Sequence, residues 1–298
     1  FVVPLLCAAT AYNRPNCDAW PANDEWETLR SLLTGELYGP FNNPSRDYSS
    51  RCMERPDDER TVIALKSGDG LCMHSHACAN KYCQLSAPSN LPAYSVEAKS
   101  IADIQASLQF ANAHNIAVSV KSSGHSWQSQ SMHAGSLLIW IRHFPKYSEI
   151  TNYTDSCDDT YTTVTVAGGE NFDDIWQTVR SDYHMVTGFC QTVSMAGGWI
   201  QGGGMSWSAR LYGFGVDQAV SFEAVLANGT LVEADACTNT DLFWALRGGG
   251  GGNFGIVTRL QYKLHPPTAV TELEFEYDGR PIVDDLLRVG GRREEFIR

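Results

Sequence analysis

Glycine placement constrains this chain more than any other feature. Fourteen of its 26 glycines fall between Gly197 and Gly255. Each glycine costs backbone entropy on folding, so such crowding marks places where the chain must turn left-handed or be approached closely with no Cβ in the way. Two runs dominate, Gly197-Gly198-Trp199-Ile200-Gln201-Gly202-Gly203-Gly204 and Arg247-Gly248-Gly249-Gly250-Gly251-Gly252. A third small-residue turn, Ser122-Ser123-Gly124-His125-Ser126, follows the apolar run 116–120 after Lys121. Successive N–H groups in such a turn can point at one anion, forming a nest suited to a pyrophosphate. Each segment alone reads better as a ligand-free loop; three of them beside strand-like sequence point to a nucleotide cofactor. The dinucleotide fingerprint, G-x-G-x-x-G set between a strand and a helix, does not occur, nor does the P-loop G-x-x-x-x-G-K-[ST]. H-E-x-x-H and G-x-S-x-G are missing as well, which weakens metalloprotease and α/β-hydrolase readings.

Composition narrows the remaining classes. The 298 residues are 43% hydrophobic and 19% charged, with a formal net charge of −12. That balance is globular, and its acidity offers nothing to neutralise a phosphate backbone, so no nucleic-acid partner is expected. No run of about 18 apolar residues occurs, so no membrane-spanning helix is expected either. Residues 1–11 are apolar and end in Ala9-Thr10-Ala11, reading as the tail of a secretory signal with an A-x-A cleavage site or, alternatively, as a short apolar strand. Cys17, Cys52, Cys72, Cys78 and Cys83 crowd the following segment, as expected for disulfide stitching of an exported, loop-rich region. His74 and His76 lie among these thiols, but the spacing fits no zinc-finger pattern, and disulfides rather than a metal are expected. A secreted chain also makes the sequons at Asn152 and Asn228 glycosylation acceptors.

Periodicity predicts a helix over 24–33 capped by Asn23, a strand opening at Ser95, a helix through Ile101, Ile104, Leu108 and Ala111, and a buried strand at 116–120. The alternation continues with strands at 161–166, 219–226, 231–234 and 254–264, and helices at 172–180 and 241–246. Asn228-Gly229 predicts a hairpin with a type I′ turn, which requires positive φ at both residues.

Five ordered motifs then carry a family resemblance: 90–96 (Asn-Leu-Pro-Ala-Tyr-Ser-Val), Ser123-Gly124-His125-Ser126, the run 197–204, Tyr212-Gly213-Phe214-Gly215-Val216-Asp217, and Asp241-Leu242-Phe243-Trp244 leading into the run 247–252. The series resembles secreted, fungal-type FAD-linked oxidases of the berberine bridge enzyme type, within the vanillyl-alcohol oxidase and p-cresol methylhydroxylase (PCMH) superfamily. The resemblance implies an α+β fold, with a PCMH-type FAD-binding domain of two α/β subdomains over 88–265. Around it would lie a signal remnant at 1–11, a Cys-rich N-terminal extension at 12–87, and the beginning of a substrate-binding domain at 266–298.

By the same resemblance FAD is the cofactor, joined through its 8α-methyl group to His125 and, in bicovalent members, through C6 to Cys190; mono- and bicovalent attachment both stay open. A second tether would withdraw electron density from the ring and fix it in an open site. Ser122, Ser123, Gly124 and Ser126 would cradle the pyrophosphate, and Gly197, Gly198, Gly202, Gly203 and Gly204 would lie against the cofactor. Ile256 and Val257 fall on the strand that meets the adenine end, while Met205 stands where many relatives have histidine. The implied partners are a small-molecule substrate (an alcohol, sugar or amine) and O₂, which would be reduced to H₂O₂. The catalytic base is expected beyond residue 298, so the 298 residues alone are expected to be inactive. A non-catalytic FAD-binding remnant and a cofactor-free, disulfide-rich glycoprotein are the competing readings.

Overall fold

The computed structural model describes residues 12–15, 17–40, 92–126, 130–180 and 182–269. The signal-like residues, Cys52, Cys72, Cys78, Cys83 and most of 266–298 lie outside the described residues. The chain divides into two compact units, Phe1–Pro267 and Thr268–Arg298; the first contains every element below.

Helix α1 (Asn23–Leu32) buries Trp26 and Leu29. Its cap is Ala22 rather than the expected Asn23, because the Glu25 carboxylate reaches back to accept the Ala22 N–H at 2.8 Å. That contact satisfies an orphan donor of the first turn without a capping side chain. Strands β1 (Leu37–Tyr38), β2 (Tyr94–Glu97), β3 (Val118–Lys121) and β4 (Leu137–Trp140) form a sheet of order β1-β2-β4-β3. β4 runs parallel to both β2 and β3, and β1 pairs antiparallel with β2. Helix α2 (Ile101–Ala113) makes the crossover from β2 to β3, as a parallel connection requires. Ser100 caps it, accepting the Asp103 N–H at 3.1 Å. Burial would raise the Asp103 carboxyl pKa, yet hydrogen bonds from the Thr34, Lys99 and Ser100 N–H groups and the Thr34 hydroxyl hold it below its ordinary value. Trp26, Val96, Ile104, Leu137 and Ile139 fill this core.

The second sheet is antiparallel throughout. It contains β5 (Glu149–Thr154), β6 (Thr160–Ala167), β7 (Ala219–Val225), β8 (Leu231–Asp235) and β9 (Ile256–Lys263), in the order β5-β6-β9-β7-β8. Helices α3 (Phe172–Val179) and α4 (Thr240–Leu246) bury Ile175, Phe243 and Leu246 in the core formed by Val164, Val166, Phe222 and Leu260. Ala167, Val225 and Ile256 instead pack into the core of the first sheet, so the ends of β6, β7 and β9 join the two layers.

The β7–β8 hairpin forms where predicted, with a different turn. Leu226 N–H donates to Thr230 O at 2.9 Å and Gly229 N–H to Leu226 O at 2.8 Å, and only Gly229 (φ 83°) is left-handed. This three-residue loop closes with a glycine bulge, so Asn228 needs no positive φ. Asn228 is exposed at the hairpin tip and Asn152 is exposed on edge strand β5. The loops at the two edges of the sheet meet through the Cys157–Cys237 disulfide, with Cα atoms 5.5 Å apart. Asp235 reinforces the junction by accepting the Ser156, Cys237 and Thr238 N–H groups at 3.0, 2.9 and 2.7 Å.

Candidate functional site

The glycine segments converge where the two layers meet. The β6–α3 turn enters first, through Gly168 and Gly169. A Cβ on Gly168 would stand 2.1 Å from Val257 O, and one on Gly169 would stand 1.9 Å from Ile141 O, so no side chain fits at either position. Glu170, 1% exposed, ties the turn down by accepting the Ala167 N–H at 2.6 Å and the Ser148 hydroxyl. On its other side Arg142 donates to Gly169 O at 2.8 Å and to the Asp174 carboxylate at 2.7 Å. Burial would raise the Asp174 pKa, but Arg142, Lys146 and the Asn171 N–H outweigh it and hold the carboxyl below its ordinary value.

Ser194 couples this turn to two of the predicted segments. Its hydroxyl donates to Gly168 O at 3.0 Å and accepts the Gly197 N–H at 3.3 Å, while its own N–H donates to Ser123 Oγ at 2.9 Å. Gly197 sits so close to the 122–126 turn that a Cβ there would lie 2.2 Å from Ser122 Oγ. Within that turn Gly124 adopts φ 84°, and Ser126 N–H folds back to Gly124 O at 2.7 Å. Residues Met195–Trp199 then form one wide helical turn, followed by a tight one at Ile200–Gly202.

Gln201 couples the second segment to the third. Only 1% exposed, its amide donates to Ala196 O and Gly197 O at 2.9 and 3.1 Å and accepts the Gly252 N–H at 3.2 Å. Its backbone carbonyl accepts the Gly250 N–H at 2.8 Å. Gly204 packs backbone to backbone on Gly215, whose N–H donates to Gly204 O at 2.7 Å.

The glycines so held divide into two kinds. Gly197 and Gly204 face protein atoms, whereas a Cβ on Gly198, Gly202, Gly203 or Gly252 would meet no protein atom within 4 Å. Those four present bare backbone outward, a cradle that side chains would fill. A flat or phosphorylated group fits such a surface, so the residues present suit FAD. Ile256 and Val257 are only 4% and 2% exposed; their side chains belong to the cores.

His125 and Cys190, separated by 65 residues, come together with Cys190 Sγ 4.0 Å from His125 Nε2. Thr192, which the sequence reading passed over, links them: its hydroxyl lies 2.8 Å from His125 Nε2 and 3.4 Å from Cys190 Sγ. Cys190 carries no disulfide, in contrast to Cys17, Cys157 and Cys237. Next to it the exposed Phe189 ring meets the Trp207 ring edge-on at 4.5 Å, with Met205 also exposed. Neither Thr192 nor Gln201 belongs to a motif with its own mechanism. The one signal that could have found Gln201 is a long polar amide inside an otherwise small and apolar run.

Residues 92–235 match the family model described as an FAD binding domain. Among curated proteins, FAD-linked oxidoreductase ZEB1 of Gibberella zeae is 32% identical over 282 residues, covering 89% of this chain and 49% of that protein. Among solved structures, the VAO-type flavoprotein MtVAO615 of Myceliophthora thermophila matches with a TM-score of 0.68 and 27% identity, covering 86% of this chain and 50% of that one. Glucooligosaccharide oxidase of Acremonium strictum, described as carrying a 6-S-cysteinyl, 8α-N1-histidyl FAD, matches with a TM-score of 0.50 and 26% identity over 59% of this chain and 35% of its own. The chain therefore spans about half the length of the curated relatives it matches. With its two-layer fold and glycine cradle, the chain belongs to the vanillyl-alcohol oxidase/PCMH superfamily of FAD-binding flavoproteins.

Proposed function

We propose that this chain is the cofactor-binding part of a secreted FAD-dependent oxidase, and that it carries the flavin covalently on His125, with Cys190 as a second tether. The observation that carries the reading is the pairing of His125 and Cys190 at 4.0 Å, in a region where Ser194 ties the 122–126 turn to the run that bears the outward-facing glycines. A histidine nitrogen and a thiol at that separation can hold one flat ring at two points, and the Acremonium oxidase is described with those two linkages. When bound, FAD supplies a two-electron acceptor that takes hydride from an alcohol, sugar or amine and returns the electrons to O₂ as H₂O₂.

The remaining roles belong to the chain. Gly198, Gly202, Gly203 and Gly252 admit the cofactor to the backbone, Gln201 keeps two of the glycine segments in register, and the N–H groups of Ser122, Ser123 and Gly124 bind the pyrophosphate, while the Ser126 N–H is taken up by Gly124 O in closing that turn. The exposed Phe189 and Trp207, in edge-on contact, give the space next to Cys190 an apolar wall. Visible absorbance and acid precipitation test the reading. The protein should be yellow and keep its flavin in the acid pellet; His125→Ala and Cys190→Ala should each remove one attachment, and the double variant should release all flavin to the supernatant. A colourless protein, or a double variant whose pellet stays yellow, would overturn it.

A further inference from the structure

We propose that Thr192 is the positioning residue for flavin attachment: its hydroxyl holds the His125 ring in the attacking orientation and receives the proton the imidazole gives up. The inference rests on the reading of His125 as the attachment point. Thr192 is itself held firmly. Val193 N–H donates to Cys190 O at 3.1 Å, closing a four-residue turn from Cys190 to Val193. The start of α3 anchors that turn on both sides, with Asp173 N–H on Gln191 O at 3.0 Å and Phe172 N–H on Val193 O at 3.1 Å. The turn brings the Cys190 and Thr192 side chains together, with Sγ 3.4 Å from Oγ1, and aims the hydroxyl at His125 Nε2, 2.8 Å away.

A hydroxyl donates one hydrogen bond and accepts others. Here it can accept from Nε2–H while donating to sulfur, giving the chain His125 Nε2–H to Thr192 O–H to Cys190 Sγ. With the proton on Nε2, the lone pair sits on Nδ1, because the partner of one ring nitrogen decides the state of the other. Attachment forms one bond between the imidazole and the flavin 8α carbon. It breaks one methyl C–H, whose proton goes to solvent, and the imidazole loses its Nε2 proton to the Thr192 hydroxyl and on to solvent. The two electrons released reduce O₂, which with two protons becomes H₂O₂, so atoms and electrons balance.

The test compares wild type, Thr192→Val and Thr192→Ser, each expressed without flavin and then mixed with FAD in air. Total bound flavin is read by absorbance after gel filtration, and covalent flavin by fluorescence of the denatured band on a gel. Unfolding of each apoprotein in denaturant controls for stability. Thr192→Val should bind as much total FAD as wild type and unfold at the same midpoint, yet capture it covalently about tenfold more slowly or worse. Thr192→Ser, which keeps the hydroxyl, should restore the rate. Covalent capture by Thr192→Val at the wild-type rate would overturn the proposal and leave the His125 linkage standing. So would a loss of total binding in parallel with the covalent fraction, which marks a structural role. A wild-type protein that releases all its flavin on denaturation would overturn the underlying linkage and the role of Thr192 with it.

Discussion

Replacing single glycines by alanine separates a cofactor cradle from a loop that is merely glycine-rich, because the structure assigns opposite consequences to neighbouring positions. At Gly197 the added Cβ would stand 2.2 Å from Ser122 Oγ, 2.4 Å from Ser122 Cβ and 2.8 Å from Gly168 O. The serine is held by its place at the end of β3, and the carbonyl is backbone, so neither can swing aside. Overpacking of this kind costs about 1–3 kcal/mol of folding stability. At Gly198 and Gly202 the added methyl meets no protein atom within 4 Å, and neither residue is among those with left-handed φ. There the substitution restricts the unfolded chain more than the folded one, and stability should rise by about 0.4–1 kcal/mol.

Cofactor affinity should fall at all three positions. At Gly198 and Gly202 the methyl occupies the surface the cofactor needs, and a loss of about 1.4 kcal/mol or more, tenfold in Kd, is expected. The assay is a denaturant unfolding curve for each apoprotein beside a titration with FAD followed by flavin fluorescence. Gly197→Ala should be weakened in both measurements, whereas Gly198→Ala and Gly202→Ala should be weakened in the titration alone. Wild-type FAD affinity in the latter two would mean that their open faces look onto solvent and that the cradle lies elsewhere.

Three further outcomes follow from other contacts. Gln201→Leu leaves the Ala196 and Gly197 carbonyls and the Gly252 N–H without their partner in a buried position; unfolding curves should show a loss of about 1–3 kcal/mol, and the FAD titration a weaker affinity. The Cys157–Cys237 disulfide spans a separation of 80 residues, for which chain entropy predicts about 4.5 kcal/mol; the double serine variant should lose stability on that order in a denaturant melt. For Asp103, Asp174 and Asp235, burial would raise the carboxyl pKa, but hydrogen bonds and, for Asp174, the adjacent cations keep each below its ordinary value. Their stabilisation is thus complete above the unfolded value near about 3.9 and is lost as pH falls through the folded values. Denaturation midpoints should hold steady from neutrality to about pH 5 and drop below pH 4, less steeply in Asp174→Asn.

What could be read from the residues depended on whether a local pattern or a distant partner decided the outcome. α2 and α3 were legible because apolar spacing persists over one stretch of chain, and the structure adds to each a cap, Ser100 or Asn171, with Asp at the third helical position. β4 did not, since Leu137-Leu138-Ile139-Trp140 is buried throughout and so lacks the alternation that marks a half-buried strand. The hairpin at Asn228-Gly229 was legible as a hairpin but not in its turn, because the loop length that selects the turn is set by pairing between Leu226 and Thr230. The site divides in the same way. The glycine runs showed that something approaches the backbone, yet which glycines face outward and which are wedged against protein follows from Ser122, Gly168 and Gly215, all supplied by other segments. His125 and Cys190 gained their roles through resemblance. Thr192 and Gln201 gained theirs only when folding placed a hydroxyl between two side chains 65 residues apart and an amide between two glycine segments. Thr192 is silent in sequence because its chemistry is ordinary, and Gln201 shows only as a long amide inside a small, apolar run; it is the convergence of three small-residue segments on one seam that sets a common glutamine between two of them and a common threonine between His125 and Cys190.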